Sequence, residues 1–213
     1  MTELPPAAEH VLSYPQSVAP RRHGPQGYVD YGSYKPWLRD EFSFRCVYCL
    51  SREAWKPDGH EGFSVDHIAP QATHPELSNE YDNLLYACIA CNARRQGVPL
   101  PIDPSRKPLG GHLQVNRDGT AQALTQDGQR VIDLCRLNRV SLRRFRLRLL
   151  RLVTFLSTSE HPAAQEALTQ LLSLPDDLPD LGSLRPPGGN TRVAGIAASY
   201  YERQRPGDLQ STY

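Results

Sequence analysis

The spacing of apolar and polar positions gives the chain a patterned middle between two weakly patterned ends. Residues 37–44 have helical spacing, with Trp37, Leu38 and Phe42 on one face. The run from Phe63 to Ile68 predicts a strand, ended by Pro70, and Asn83 to Ala87 predicts a second. A helix is expected to begin near Cys88 and Cys91 and to end around Gly97, with Pro99 beyond it. His112 to Val115 and Thr120 to Leu124 flank Asn116-Arg117-Asp118-Gly119, which signals a hairpin. Two helices are expected next, over 129–138 and over 141–156, the second with Ser141 as N-cap. In that second helix Leu142, Phe145, Leu149, Leu152 and Leu156 share a face, and Arg144, Arg148 and Arg151 lie opposite.

The ends differ in composition. Gly and Pro number 15 and 19, and many of them fall before residue 36 or after residue 174. Residues 1–35 read as an extended arm whose tyrosines (Tyr14, Tyr28, Tyr31, Tyr34) can pack across a core. A short helix is expected over 163–172, then a linker-like stretch from Pro175 to Asn190, then a short helix near 193–203. The expected segments are therefore 1–35 (arm), 36–104 (core), 105–160 (hairpin and helices) and 161–213 (helical and linker tail), with no internal repeat. The fold class is α+β.

The formal charge of +1 excludes a protein that is basic overall. The charge is nonetheless uneven: eight arginines and one acid, Asp133, fall between Arg130 and Arg151. Such a stretch can grip a phosphate backbone without reading sequence, or can be a solvated helix face. The first residues lack a charged start followed by an apolar run, and no stretch approaches the roughly 20 apolar residues a membrane helix needs. A soluble, cytoplasmic protein with no membrane partner is the expectation, and in that compartment paired cysteines point to metal rather than disulfide.

Cys46-Val-Tyr-Cys49 and Cys88-Ile-Ala-Cys91 are two such pairs, 38 residues apart. Four thiolates can wrap one tetrahedral Zn²⁺, which would staple everything between the pairs. A redox dithiol is the alternative, but such a motif usually stands alone. Cys135 falls on the apolar side of its expected helix and reads as a core thiol.

Between the pairs, Asp66-His67 ends the first strand. Asp66 offers a hard oxygen to a magnesium-type ion, and His67 can take a proton near neutral pH. Asn83 follows, then Asn92 directly after Cys91, and Arg95 lies one turn further on, where it can touch a phosphate. Singly, these are more often a surface pair, a turn residue and a helix cap. His60 and His74 lie nearby and are left outside the site.

Taken together, CVYC, VDHIAP and YDNLLYACIACNARR resemble the HNH, or ββα-metal, nucleases of the zinc-knuckle type, over about 37–97. The family name refers to His, Asn and His, whereas the third position here is Asn92. The resemblance implies a ββα-metal core stapled by a four-cysteine zinc site, which is an endonuclease hydrolysing DNA. It implies His67 as general base, Asp66 and Asn92 as ligands of one Mg²⁺ or Mn²⁺, and Asn83 as a brace orienting His67. The implied products are a 5′-phosphate and a 3′-hydroxyl. The stretch after residue 101 resembles the C-terminal extension of stand-alone bacterial HNH proteins, some of them anti-phage effectors. By that reading the substrate is double-stranded DNA, cut with low sequence specificity, and Arg144, Arg148 and Arg151 hold the backbone. The alternatives are a nuclease subunit delivered by a protein partner (an ATPase or a nucleic-acid-guided complex) and a zinc-stapled DNA-binding module without catalysis.

Overall fold

The computed structural model describes residues 10–204. Two compact units divide the chain. One combines Met1–Val18 with Pro101–Leu172, and the other combines Ala19–Leu100 with Ser173–Tyr213. Helices and two small antiparallel sheets make the fold α+β.

The unit of residues 19–100 and 173–213 opens with a 3-10 turn, Tyr31–Tyr34, whose N-cap Asp30 accepts from the Gly32 amide at 2.9 Å. Helix α1, Lys35–Glu41, follows with Pro at its start, where a missing amide costs nothing. It buries Trp37 and Leu38 completely. Ser43 and Phe44 then take positive φ, turning the chain toward the first cysteine pair. Strands β1, Phe63–His67, and β2, Leu84–Cys88, pair antiparallel, with Phe63 opposite Cys88 and His67 opposite Leu84. Every residue of β2 is buried, which explains its continuous apolar run. Phe63 stacks on Tyr86 with ring centroids 5.0 Å apart. Helix α2, Ile89–Arg95, leaves β2 directly and stops at Gln96 and Gly97, both left-handed.

A buried ion pair lies behind the sheet. Arg39 donates to Glu53 at 2.8 Å, and Tyr86 Oη donates to the same carboxylate at 2.6 Å. Residues 173–204 return to this unit. Composition marks 175–190 as a linker, yet Leu178 and Leu181 are buried and Leu174 and Leu178 cluster with Phe44. The leucines decide the matter, because their burial outweighs the turn-forming residues between them. The expected arm likewise packs. His23 is fully buried and bonds Asp40 at 2.8 Å, and Tyr28 meets Tyr34 edge-on. The part of the expected arm before residue 10 and of the expected tail after residue 204 lies outside the described residues.

In the other unit, strands β3, Leu113–Val115, and β4, Ala121–Ala123, form the expected hairpin. Its turn needs Gly119 at φ +80°, where an added Cβ would also meet the Arg143 carbonyl oxygen at 2.5 Å. Helix α3 spans Gln126–Leu134, three residues earlier than expected, because Thr125 caps it through the Gly128 amide. Helix α4 spans Val140–Thr158 with Arg139 as N-cap, so Ser141 is inside the helix and caps nothing. It buries Leu142, Leu149, Leu150, Val153 and Leu156, whereas Leu152 is 44% exposed. Arg146 is buried among them and donates to the Leu137 carbonyl at 2.9 Å. Helix α5, Pro162–Leu172, packs beside α4. Cys135 is a fully buried thiol of this unit and is in no disulfide.

Candidate active site and metal centre

The four knuckle cysteines converge. All are buried and in no disulfide, and their sulfurs lie within 4.8 Å of one another, with Cys49 Sγ 3.7 Å from Cys88 Sγ. A tetrahedral Zn²⁺ with bonds of about 2.3 Å would set its sulfurs about 3.8 Å apart, so the donor set fits that ion. The electrostatics agree with the geometry. Burial pushes the Cys46 thiol up, while hydrogen bonds from Cys46, Cys88 and Cys91 hold Cys49 well below its ordinary value. Without a cation the four cannot all ionise together; a divalent ion removes that conflict. The Val47 amide donates to the Tyr86 carbonyl at 3.0 Å, which ties the first knuckle to β2.

The end of β1 meets α2 at a cleft of about 300 Å³. Asp66, His67, Asn92 and Arg95 all border it, together with Tyr31. His67 is 7% exposed, and its Nε2 lies 3.0 Å from the carbonyl oxygen of Ser78. A carbonyl only accepts, so Nε2 carries the proton and Nδ1 is left with a lone pair. Burial lowers the imidazole's pKa from the ordinary 6.5, opposed by the bond to Ser78 and by Asp66. The Tyr31 ring meets the imidazole edge-on at 4.8 Å.

Asn83 does not line the cleft and makes no bond to the imidazole. It fastens the segment between the strands. Its Oδ1 accepts from the Ala69 amide at 2.8 Å, and its Nδ2 donates to the carbonyls of Ala69 and Leu77 at 3.1 and 3.0 Å. Leu77 precedes Ser78, so Asn83 fixes the backbone that supplies the partner of His67. Asn92 donates through Nδ2 to Ser64 Oγ at 3.0 Å and to the Val65 carbonyl at 3.1 Å. Those bonds use its donors and orient the amide at the cleft wall.

Asp66 is engaged on every side. Its Oδ2 accepts from Tyr48 Oη at 2.7 Å and from Arg95 Nε at 3.0 Å. Its Oδ1 accepts from the His67 amide at 2.8 Å and from Arg95 Nη2. A carboxylate has about four lone-pair positions, and these donors fill them. The pair Asp66 and Asn92 has the chemistry for a hard cation, but as arranged Asp66 has no oxygen free to hold one. Arg95 also departs from expectation. It is 1% exposed, and besides Asp66 it serves the carbonyls of His67 and Val98, so it is not placed to touch a phosphate. Its position one turn after Asn92 turns it inward beneath β1.

Arg144, Arg148 and Arg151 lie on the exposed side of α4, in the other unit. His60 and His74 border no part of the cleft. Tyr31, Tyr48 and Ser78 were not among the residues expected at the site. No residue-type pattern marks them, since they act through a ring edge, a distant hydroxyl and a backbone carbonyl. Among the described residues no helix is long and apolar enough to cross a membrane.

Residues 46–96 match the family model of the HNH endonuclease. That span runs from the first knuckle cysteine to the end of α2 and holds the whole cleft wall except Tyr31 and Gly97. No curated protein and no solved structure matches the chain.

Proposed function

We propose that the protein is an endonuclease that hydrolyses phosphodiester bonds of double-stranded DNA, with His67 as its general base. The observation carrying this reading is the bond between His67 Nε2 and Ser78, inside a segment that matches a nuclease family. With Nε2 committed to the carbonyl, Nδ1 accepts a proton from water as the water oxygen attacks phosphorus. The bond from phosphorus to the 3′ oxygen breaks and the departing oxygen takes a proton from solvent water, leaving a 5′-phosphate and a 3′-hydroxyl. The lowered pKa keeps the imidazole neutral, and so basic, near pH 7. Asn83 acts as a positioning residue through the 69–78 backbone. The Mg²⁺ or Mn²⁺ ion assigned to Asp66 and Asn92 does not fit beside a fully paired Asp66, and the steps above belong to the chain's own side chains.

Zn²⁺ on Cys46, Cys49, Cys88 and Cys91 has a structural role in this reading: it joins the loop before β1 to the start of α2. The exposed arginines of α4 supply non-specific grip on phosphates. Among the described residues no base-reading module accompanies them, and the reading is of low sequence preference.

Purified protein incubated with supercoiled plasmid, a panel of divalent ions and an EDTA control tests the reading, with RNA run in parallel. Nicked or linear plasmid is the expected result, and the ion panel and the EDTA arm report whether cleavage needs an added divalent ion. Binding without cleavage under every ion would instead leave a zinc-stapled binding module.

A further inference from the structure

We infer that Tyr31 is a positioning residue for His67, holding the plane of the imidazole while Ser78 holds its Nε2. This role rests on the nuclease reading proposed above and deepens it. One hydrogen bond fixes one atom of a ring. The bond from Nε2 to the Ser78 carbonyl therefore leaves the ring plane open, because the last torsion of a histidine side chain is broad. A second contact has to close it. The Tyr31 ring supplies one, edge-on at 76° with centroids 4.8 Å apart, within the range that aromatic pairs favour. Tyr31 borders the same cleft, yet it lies before residues 46–96, which match the family model.

The chain builds Tyr31 into that place. Asn79, the residue after Ser78, donates through Nδ2 to the Val29 carbonyl at 3.0 Å. The two segments that touch the imidazole are thus tied to each other close to Tyr31. Asp30 caps the 3-10 turn that Tyr31 begins, through the Gly32 amide. At the far end of that turn Tyr34 is buried against Tyr28 and Tyr81, with ring centroids 4.9 and 5.7 Å away. Tyr81 in turn opens the 3-10 turn that ends at Asn83. Both contacts of His67 are therefore anchored to one framework. A neutral imidazole held in plane there keeps one direction for its Nδ1 lone pair.

NMR of the imidazole nitrogens in the zinc-loaded protein, without nucleic acid and at one neutral pH, tests this. Wild type and Tyr31→Phe should give an Nε2–H signal protected from exchange and the nitrogen shifts of a single tautomer. Tyr31→Leu, which fills space without a flat ring, should lose the protected signal and average the two tautomers. In plasmid cleavage Tyr31→Leu should lower the single-turnover rate by about 10- to 10²-fold at unchanged DNA affinity, since a small misplacement of a reacting group is costly. Tyr31→Phe should cut at close to the wild-type rate. A protected, single-tautomer signal in folded Tyr31→Leu overturns the inference. So does a Tyr31→Phe variant as slow as Tyr31→Leu, which would assign the effect to the hydroxyl. A loss of DNA affinity with an unchanged rate also overturns it, because Tyr31 would then be a substrate contact. Should Tyr31→Leu not fold, Asn79→Ala unties the Val29 carbonyl and should broaden the same signal, and an unchanged signal there overturns the inference. A signal that depends on the Tyr31 ring in a protein that cuts no DNA sinks only the nuclease. Cleavage with a signal indifferent to the ring sinks only the positioning.

Discussion

The carbonyl oxygen of Ser78 lies 3.0 Å from Nε2 of His67, and that contact places the proton of the neutral imidazole on Nε2. Ser78 sits between the two strands, on a segment whose conformation depends on Asn83.

Asn83→Ala should therefore slow cleavage without weakening DNA binding. Three hydrogen bonds disappear, and the carbonyls of Ala69 and Leu77 lose their donor, at a stability cost of about 1–3 kcal/mol. Single-turnover rates, a binding isotherm and a thermal melt separate these effects. A large loss of affinity with an unchanged single-turnover rate would contradict the bracing role.

Zinc should be stoichiometric with the chain and necessary for the order of residues 46–96. The cluster joins both ends of that segment, and most of the segment lies between the knuckles. Cys88→Ser, or a strong chelator, should lower the melting temperature and abolish cleavage together. Metal analysis and circular dichroism check this. Retention of the wild-type melt in zinc-free protein would remove the staple.

The buried pair behind the sheet should be costly to break. Arg39 and Glu53 side chains are 8% and 1% exposed, and Tyr86 Oη also depends on Glu53. Glu53→Ala leaves a buried guanidinium without its main partner and should destabilise the fold by about 3–5 kcal/mol. Denaturant unfolding measures it. A loss well under 1 kcal/mol would mean that Asp177, which bonds Arg39 at 2.8 Å, compensates.

The α4 arginines predict a salt signature. If Arg144, Arg148 and Arg151 each neutralise a phosphate, the triple alanine variant should flatten the slope of log affinity against log salt by about 3 units at most, near 0.9 per contact. Binding to unrelated sequences should weaken alike. An unchanged slope would return this face to the solvated-helix reading.

Much of this was legible in the sequence. The four cysteines are recognisable by type and spacing, and the structure brings their sulfurs together. The order of two strands and a helix follows from short apolar runs with clear stops at Pro70 and Gly97. Other features were hidden for physical reasons. Arg95 can be placed on a helix turn from its number, but its partner depends on how α2 crosses β1. Ser78 contributes a backbone oxygen, which every residue has. Tyr31 reaches His67 from a segment whose Gly and Tyr content says only that it is irregular. The stretch 175–190 was misleading because turn residues dominate its composition while its few leucines decide its packing.

Cleavage of supercoiled plasmid by His67→Ala, compared with wild type at equal zinc content and equal DNA affinity, tests the central claim most directly. Loss of a general base should slow the single-turnover rate by about 10²- to 10⁴-fold while the melt and the zinc content stay as they were. A variant that folds, holds zinc and cuts at the wild-type rate would show that the imidazole held by Ser78 is not the base.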